Sequence, residues 1–288
     1  MKNEHDTAHP KTYVALGKQR YCVIHFTDPE LSGISDVAVL NDKIIVLRRR
    51  APELVVLGPD GTLAGQSVTL TQFVCGHGLR TFGSDLLAAT DMDGHQVVLL
   101  NADLKEVART GCNAHPRLGS PFNHPCDCVK GADGRYYVAD GYGNSAIHIF
   151  DANLKYLKTF GHPGAGQGAF STPHSLIFDA QGRLCIADRE NNRVQQFDVD
   201  GNWLGQIEGL YKPMALALTL CGELLVTDQT PRLSAYDADG QLVGRCRTFS
   251  TYGHGLAVQP SGTIVIADMN PDRLTVLVPD GPLPHGAR

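Results

Sequence analysis

Apolar and polar positions alternate along this chain in short runs that predict β-strands rather than helices. One unit recurs: an apolar strand, a tight turn, a second strand that ends in Ala/Thr-Asp, a short loop and a third strand. One copy is weak and another carries two extra residues, and the copies begin near Ile34, His77, His124, His174, Met214 and His254. This repetition predicts one all-β domain.

The residue that ends the second strand of each unit marks the repeat. These markers are Arg48, Asp91, Asp140, Asp188, Asp228 and Asp268, and we interpret the aspartates as structural turn caps. Their spacings of 43, 49, 48, 40 and 40 residues match a four-stranded propeller blade. A fourth strand follows every copy except the last, so a strand within residues 13–26 should complete the last blade. We therefore predict a six-bladed β-propeller over residues 13–288, closed by an N-terminal strand, with residues 1–12 as a disordered tail.

Composition limits the partners and the compartment. The net charge of −5 argues against nucleic acid or an acidic membrane as a partner, since either would need a basic face. No run of 18 apolar residues predicts a membrane span, and the N-terminus lacks the apolar segment of a secretory signal. The eight cysteines are then expected to be thiols. We expect a soluble cytoplasmic monomer.

Histidines recur at one phase of the repeat. Fourteen residues before the markers stand, in blade order, Ile34, His77, Cys126, His174, Met214 and His254. In a propeller this position starts the innermost strand, so histidines on alternate blades, about 120° apart, converge on the axis. Three neutral nitrogen ligands suit a divalent metal and leave it open coordination positions. The alternative is that isolated histidines fill a polar channel through hydrogen bonds.

Cys126 occupies the same phase in blade three, and Cys128 shares its strand face. We interpret both as small buried side chains. A fourth soft metal ligand is the alternative.

Several motifs carry a family resemblance. Residues 161–198 resemble an NHL repeat. The motifs ADGYGNSAI (139–147), PHSL (173–176), ADREN (187–191), HGL (77–79) and HQV (95–97) resemble peptidyl-α-hydroxyglycine α-amidating lyase, in the same blade order over residues 34–275. The resemblance implies a zinc site made by His77, His174 and His254. Iron or another divalent ion would also suit three histidines.

The same resemblance assigns roles to three further residues. It implies that Tyr142 is the base that takes the substrate hydroxyl proton, and a nearby cation would make a phenol easier to ionise. It implies that Arg189 and, more weakly, Arg49 bind a substrate carboxylate through paired hydrogen bonds. The alternatives are a tyrosine that caps the channel, an ion pair between Arg189 and Glu190, and a solvated Arg49.

Two positions depart from the family. An aspartate that helps to hold a structural calcium ion follows the blade-six histidine in the lyases, but Gly255 stands here, which makes calcium doubtful. Tyr252 replaces a methionine of the substrate pocket. The pocket should therefore be more polar, and the natural substrate different.

Three functions follow in order of preference. The first is a metal-dependent lyase that cleaves a carbinolamide-type or related hydroxylated small carboxylate. The second is a hydratase, dehydratase or hydrolase that uses the same metal site, because fold does not determine chemistry. The third is a non-enzymatic NHL binding scaffold.

Overall fold

The computed structural model of the protein describes residues 11–112 and 115–283, which fold almost entirely into β-strands. The helical elements within these ranges are two 3-10 turns, Pro29–Leu31 and Arg189–Asn191. Accordingly, no helix in the described ranges has the length and hydropathy needed to cross a membrane. The strands form six antiparallel sheets, which confirms the predicted all-β six-bladed propeller.

The first five blades each contain four strands in chain order, with the first strand innermost. Blade one contains β3 (Ile34–Leu40), β4 (Lys43–Arg48), β5 (Glu53–Leu57) and β6 (Leu63–Thr69). Blade two contains β7 (Gly76–Phe82), β8 (Leu86–Asp91), β9 (Gln96–Asn101) and β10 (Glu106–Gly111). Blade three contains β11 (Asp127–Lys130), β12 (Tyr136–Asp140), β13 (Ala146–Phe150) and β14 (Tyr156–Phe160). Blades four and five contain β15 (Pro173–Phe178), β16 (Leu184–Asp188), β17 (Arg193–Phe197), β18 (Trp203–Ile207), β19 (Pro213–Leu218), β20 (Leu224–Asp228), β21 (Arg232–Tyr236) and β22 (Leu242–Arg247).

Blade six is completed by the N-terminal segment. From the axis outward it contains β23 (Gly253–Val258), β24 (Ile264–Met269), β25 (Asp272–Pro282), β2 (Gln19–Phe26) and β1 (Thr12–Leu16). The pairing of β2 with β25 supplies the missing fourth strand, and β1 adds a fifth. This is the predicted closure. Thr12, expected in the tail, is the first residue of β1, and residues 1–10 lie outside the described residues.

Apolar side chains fill the space between neighbouring blades. Six buried clusters lie one between each pair of adjacent blades, for example around Tyr137 and Phe197 between blades three and four. Middle strands such as β8 and β16 are buried on both faces, which explains their continuous apolar sequences. The outermost strand β6 is exposed along nearly all its length. Burial of the two blade faces therefore stabilises the ring.

In blades one to five the marker residue holds the loop that enters the blade. Asp91 Oδ1 accepts a hydrogen bond from Cys75 N at 2.8 Å, and Asp188 Oδ1 accepts one from Ser171 N at 2.7 Å. The blade-one marker is a donor instead of an acceptor, because Nε of Arg48 donates a hydrogen bond to the carbonyl oxygen of Ser32 at 2.9 Å. The markers are structural, as the sequence predicted.

In blade one the residue at the axis differs by one position from the residue that the repeat predicted. Ile34 pairs with Arg48, fourteen positions later, where Pro173 pairs with Asp188, fifteen positions later. The turn between β3 and β4 contains only two residues, which accounts for the difference. The axial residue of blade one is therefore Ser35 and not Ile34.

Candidate metal centre

The side chains of His77, His174 and His254 meet on the propeller axis. Each is the second residue of an innermost strand, in β7, β15 and β23 respectively. Their ring centroids are 4.7 to 4.9 Å apart, and one ring nitrogen from each lies within 4.8 Å of the others. All three side chains are buried. The fold thus brings together three residues that could hold a metal ion.

A backbone carbonyl orients each imidazole. The distances from Nδ1 to the carbonyl oxygen are 2.8, 2.8 and 2.7 Å for the pairs His77–Cys126, His174–Met214 and His254–Ser35. A carbonyl oxygen only accepts, so Nδ1 carries the proton and Nε2 keeps its lone pair. Each carbonyl belongs to the blade that follows the blade of its histidine. The ring geometry therefore directs three Nε2 lone pairs to the axis, as in metal-ligating histidines.

One of these three lone pairs has no partner. Nε2 of His77 lies 3.1 Å from the hydroxyl of Tyr142, and Nε2 of His254 lies 3.0 Å from Nη2 of Arg49. Nε2 of His174 is buried and makes no hydrogen bond within the described residues. A buried acceptor left alone is costly, and a ligand would remove that cost. The residues present fit a divalent transition ion.

Burial lowers the pKa of all three imidazoles. The pKa of His174 falls to about 3, mainly through burial and then through the charge of Arg189. The pKa values of His77 and His254 fall well below 6.5 because of burial, followed by repulsion from His174. The imidazoles are therefore neutral near pH 7, which is the state that binds a metal.

Tyr142 connects the histidines to Arg189. Its hydroxyl lies 3.1 Å from Nε2 of His77 and 3.1 Å from Nη1 of Arg189, while its side chain is 38% exposed. Burial raises the pKa of Tyr142, Cys126 raises it further, and the charges of Arg189 and Arg49 oppose the rise. The protein's own groups therefore make this phenol harder to ionise, opposite to the effect expected from a nearby metal cation.

Of the two predicted carboxylate-binding arginines, Arg49 contacts the histidine cluster directly and Arg189 contacts it through Tyr142. Arg189 contacts Tyr142 and also pairs with Glu190 through Nε at 3.0 Å, so the alternative predicted for it exists beside the site contact. Nη2 of Arg49 contacts His254 and lies 3.3 Å from the hydroxyl of Ser35. Arg49 is therefore directed at the axis and does not extend into solvent.

Tyr252 and the two cysteines lie outside these contacts. Tyr252 is 40% exposed, and its hydroxyl has no hydrogen bond to the described part of the chain. Burial raises the pKa of the Cys126 thiol to about 12 and raises that of Cys128 as well. In residues 11–112 and 115–283 the metal-capable group contains the three histidines alone. Cys126 contributes its carbonyl oxygen, and both cysteines pack as buried thiols.

The sequence did not predict two residues that lie at the axis, Ser35 and Arg80. Ser35 was missed because the short turn of blade one shifts the repeat by one residue. Arg80 lies three residues after His77 on the innermost strand β7. The available signal was a basic residue at a strand position where the other copies have Ala, Val or Ile.

Comparisons with known proteins agree with the architecture. A family model described as a 6-bladed beta-propeller matches residues 125–211. Peptidylglycine alpha-amidating monooxygenase of Rattus norvegicus is 33% identical over 51% of this chain, and the match covers 16% of that protein. NHL repeat-containing protein 3 of Mus musculus is 28% identical over 95% of this chain and 83% of its own length. A Caenorhabditis elegans protein named a probable peptidyl-alpha-hydroxyglycine alpha-amidating lyase is 26% identical over 86% of this chain and 73% of its own length.

Solved structures share the fold at lower identity. Virginiamycin B lyase from Staphylococcus aureus superimposes with a TM-score of 0.63 and 14% identity, over 91% of this chain and 88% of that chain. At this identity the likeness concerns the fold alone. Six antiparallel blades in a ring and a propeller family match show that the chain is a six-bladed β-propeller, and its sequence is similar to proteins named as peptidylglycine amidating enzymes and to NHL repeat-containing protein 3.

Proposed function

We propose that this chain is a metal-dependent lyase that acts on a small hydroxylated carboxylate of the carbinolamide type. The observation that carries the proposal is the position of the Tyr142 hydroxyl, 3.1 Å from both His77 Nε2 and Arg189 Nη1. The proposed proton acceptor, the hydroxyl of Tyr142, thus contacts both a candidate metal ligand and the arginine that would bind the substrate carboxylate. The similarity to proteins named as amidating enzymes supports the same reaction class.

His77, His174 and His254 would hold the ion, with zinc as the first expectation. When bound, the ion supplies Lewis acidity toward the substrate hydroxyl oxygen. Because Nδ1–H of each ring is held by a backbone carbonyl, the rings are oriented before any ligand arrives. This preorganisation reduces the ordering that ligand binding requires.

The remaining residues have separate tasks. Arg189 and Arg49 would bind the substrate carboxylate, since guanidinium groups form two parallel hydrogen bonds to it. Tyr142, once ionised, would accept the hydroxyl proton. The C–O bond then becomes a carbonyl as the C–N bond breaks, and the departing nitrogen takes up a proton. An N-acyl-α-hydroxyglycine would yield glyoxylate and a free amide.

A second candidate is a hydratase or hydrolase that uses the same residues. It is favoured by the raised pKa of Tyr142, because a neutral phenol donates a proton more readily than it accepts one. In that reaction Tyr142 would act as an acid, and water would be the reactant. The two reactions differ in their products and in the protonation state of Tyr142 that is active.

The deciding assay offers metal-replete protein a set of small N-acyl-α-hydroxyglycines, whose nitrogen is that of an amide, and follows glyoxylate release. The Tyr142→Phe variant keeps the ring but removes the proton acceptor. We expect this variant to keep its metal and to lose about 10²–10⁴-fold in turnover. The matched control is Tyr13→Phe, since Tyr13 is exposed on β1, the outermost strand of blade six, away from the axis.

Two outcomes would contradict the lyase. One is that the metal-replete protein turns over none of these amides. The other is that Tyr142→Phe is as active as the Tyr13→Phe control. The second candidate would be supported if the protein released no glyoxylate but hydrated an α,β-unsaturated substrate or hydrolysed an ester.

A further inference from the structure

A second polar cluster lies on the axis below the three histidines, centred on the guanidinium of Arg80. Nη2 donates to Asp127 Oδ2 at 2.7 Å and to Ser175 Oγ at 3.2 Å, and Nη1 donates to the carbonyl oxygen of Leu216 at 3.0 Å. These partners belong to blades three, four and five, whereas Arg80 belongs to blade two. One side chain therefore ties four blades together across the axis.

The two carboxylates of this cluster already accept hydrogen bonds at all four oxygens. Asp127 Oδ1 accepts from Cys128 N at 2.8 Å, and Oδ2 accepts from Leu176 N at 3.1 Å as well as from Arg80. Asp36 Oδ1 and Oδ2 accept from the backbone N–H groups of residues 37 and 79, each at 2.7 Å. Calcium requires six to eight oxygen ligands. Two carboxylates whose oxygens are already directed at backbone N–H groups and at Arg80 do not supply that number.

Gly255 explains how Asp36 fits at this place. A Cβ atom built on Gly255 would lie 2.2 Å from Asp36 Oδ1 and 2.8 Å from the Asp36 Cα atom. An aspartate at position 255, as in the lyases that this chain resembles, therefore cannot coexist with Asp36 in this arrangement. The carboxylate next to the axis comes from blade one instead of blade six.

Space and charge also disfavour a second ion. The cavity between the histidines and Arg80 measures about 10 Å³, about the size of one water molecule, so an ion there would have no room for the waters that complete a calcium shell. Arg80 neutralises Asp127, and burial raises the pKa of Asp36 to about 8 with Arg80 opposing the rise. At neutral pH the cluster accordingly carries little negative charge that could attract a divalent cation.

We propose that the guanidinium of Arg80 is the built-in cation of the lower axis, in the place where the resemblance implies a structural calcium ion, and that the propeller takes up no calcium there. Arg80 supplies the positive charge and the cross-blade contacts through a covalently attached group. This inference does not depend on the proposed lyase activity.

The first test uses the wild-type protein with zinc present throughout, so that the histidine site stays in one state. We expect millimolar calcium to leave the melting temperature unchanged relative to the same zinc-containing buffer without added calcium. We also expect elemental analysis after gel filtration to find far less than one calcium ion per chain. A saturable rise in melting temperature or one retained calcium ion per chain would overturn the proposal.

The second test removes the charge. Arg80→Met leaves Asp127 buried without its partner and should lower the melting temperature on the order of 10 °C. The double variant Arg80→Met/Asp127→Asn removes both charges and should recover part of this loss. Arg135→Met is the matched control, because Arg135 pairs with Asp133 at the surface, where such pairs contribute little.

Two outcomes would contradict the role of Arg80. One is that the losses in melting temperature caused by Arg80→Met and by Asp127→Asn simply add in the double variant. The other is that Arg80→Met is as stable as the Arg135→Met control. If Arg80→Met fails to fold, the calcium measurements on the wild-type protein still decide between an internal guanidinium and a bound ion.

Discussion

Nη1 of Arg189 donates a hydrogen bond to the hydroxyl of Tyr142 across 3.1 Å, and the guanidinium carbon lies 5.2 Å from the centre of the phenol ring. The arginine expected to bind the substrate carboxylate is thus in contact with the residue expected to take the proton. Its positive charge favours the ionised phenol and opposes the effect of burial on the pKa of Tyr142. Substitutions of Arg189 should therefore affect both binding and the pH dependence of turnover.

We expect Arg189→Lys to raise KM by about tenfold or more and to lower kcat, because an ammonium group cannot form the two parallel hydrogen bonds of a guanidinium. Arg189→Gln also removes the charge, so the apparent pKa of the base should rise and the ascending limb of the kcat profile should move to higher pH. Steady-state kinetics over a pH series measure both effects. Arg183→Lys is the control, since Arg183 pairs with Asp179 in a turn away from the histidines. An unchanged KM in Arg189→Lys would refute carboxylate binding by Arg189.

Purified protein should retain close to one divalent transition ion per chain. His77→Ala, His174→Ala and His254→Ala should each largely abolish retention, because two imidazoles are too few for tight binding. Elemental analysis after gel filtration gives the ratio without any activity assay. The control is His162→Ala, which replaces an exposed histidine on the loop before β15. Retention of the metal by the triple alanine variant would show that the ion binds elsewhere.

Deletion of residues 1–26 should cause aggregation or a marked loss of stability. The deletion removes β1 and β2. Strand β25 then keeps β24 on its inner side but loses β2, its outer antiparallel partner, along most of its length. Deletion of residues 1–10 is the control and should leave the melting temperature unchanged. Light scattering and thermal unfolding distinguish the two variants. Equal melting of the shorter chain and the full chain would contradict closure by the N-terminal strands.

Metal-free protein should lose stability as the pH falls below about 6.5. The native pKa of His174 is about 3, so between these values the unfolded state binds a proton that the native state does not. The free energy of unfolding therefore rises with pH in this window and decreases on acidification. His174→Gln should flatten that slope, whereas His162→Gln should leave it unchanged. Urea unfolding at several pH values with a chelator present measures the slopes, and equal slopes for wild type and His174→Gln would exclude a buried neutral imidazole.

The repeat allowed the sequence alone to predict the fold and the histidine cluster. In a propeller, equal phase within the repeat means equal distance from the axis, so His77, His174 and His254 could be placed together although they are far apart in the chain. The unmatched last copy likewise predicted that a strand within residues 13–26 would complete the last blade, and β2 does so by pairing with β25. Both predictions rest on periodicity, which is a property of the chain.

The tertiary structure decided what periodicity cannot encode. The two-residue turn of blade one places Ser35 and not Ile34 at the axis. The direction in which the pKa of Tyr142 shifts depends on burial and on two arginines from other blades. Arg80 finds Asp127, Ser175 and Leu216 on three different blades, and the missing Cβ of Gly255 leaves room for Asp36. Such contacts join residues 47 to 219 positions apart, and only the closed ring brings them within hydrogen-bond distance.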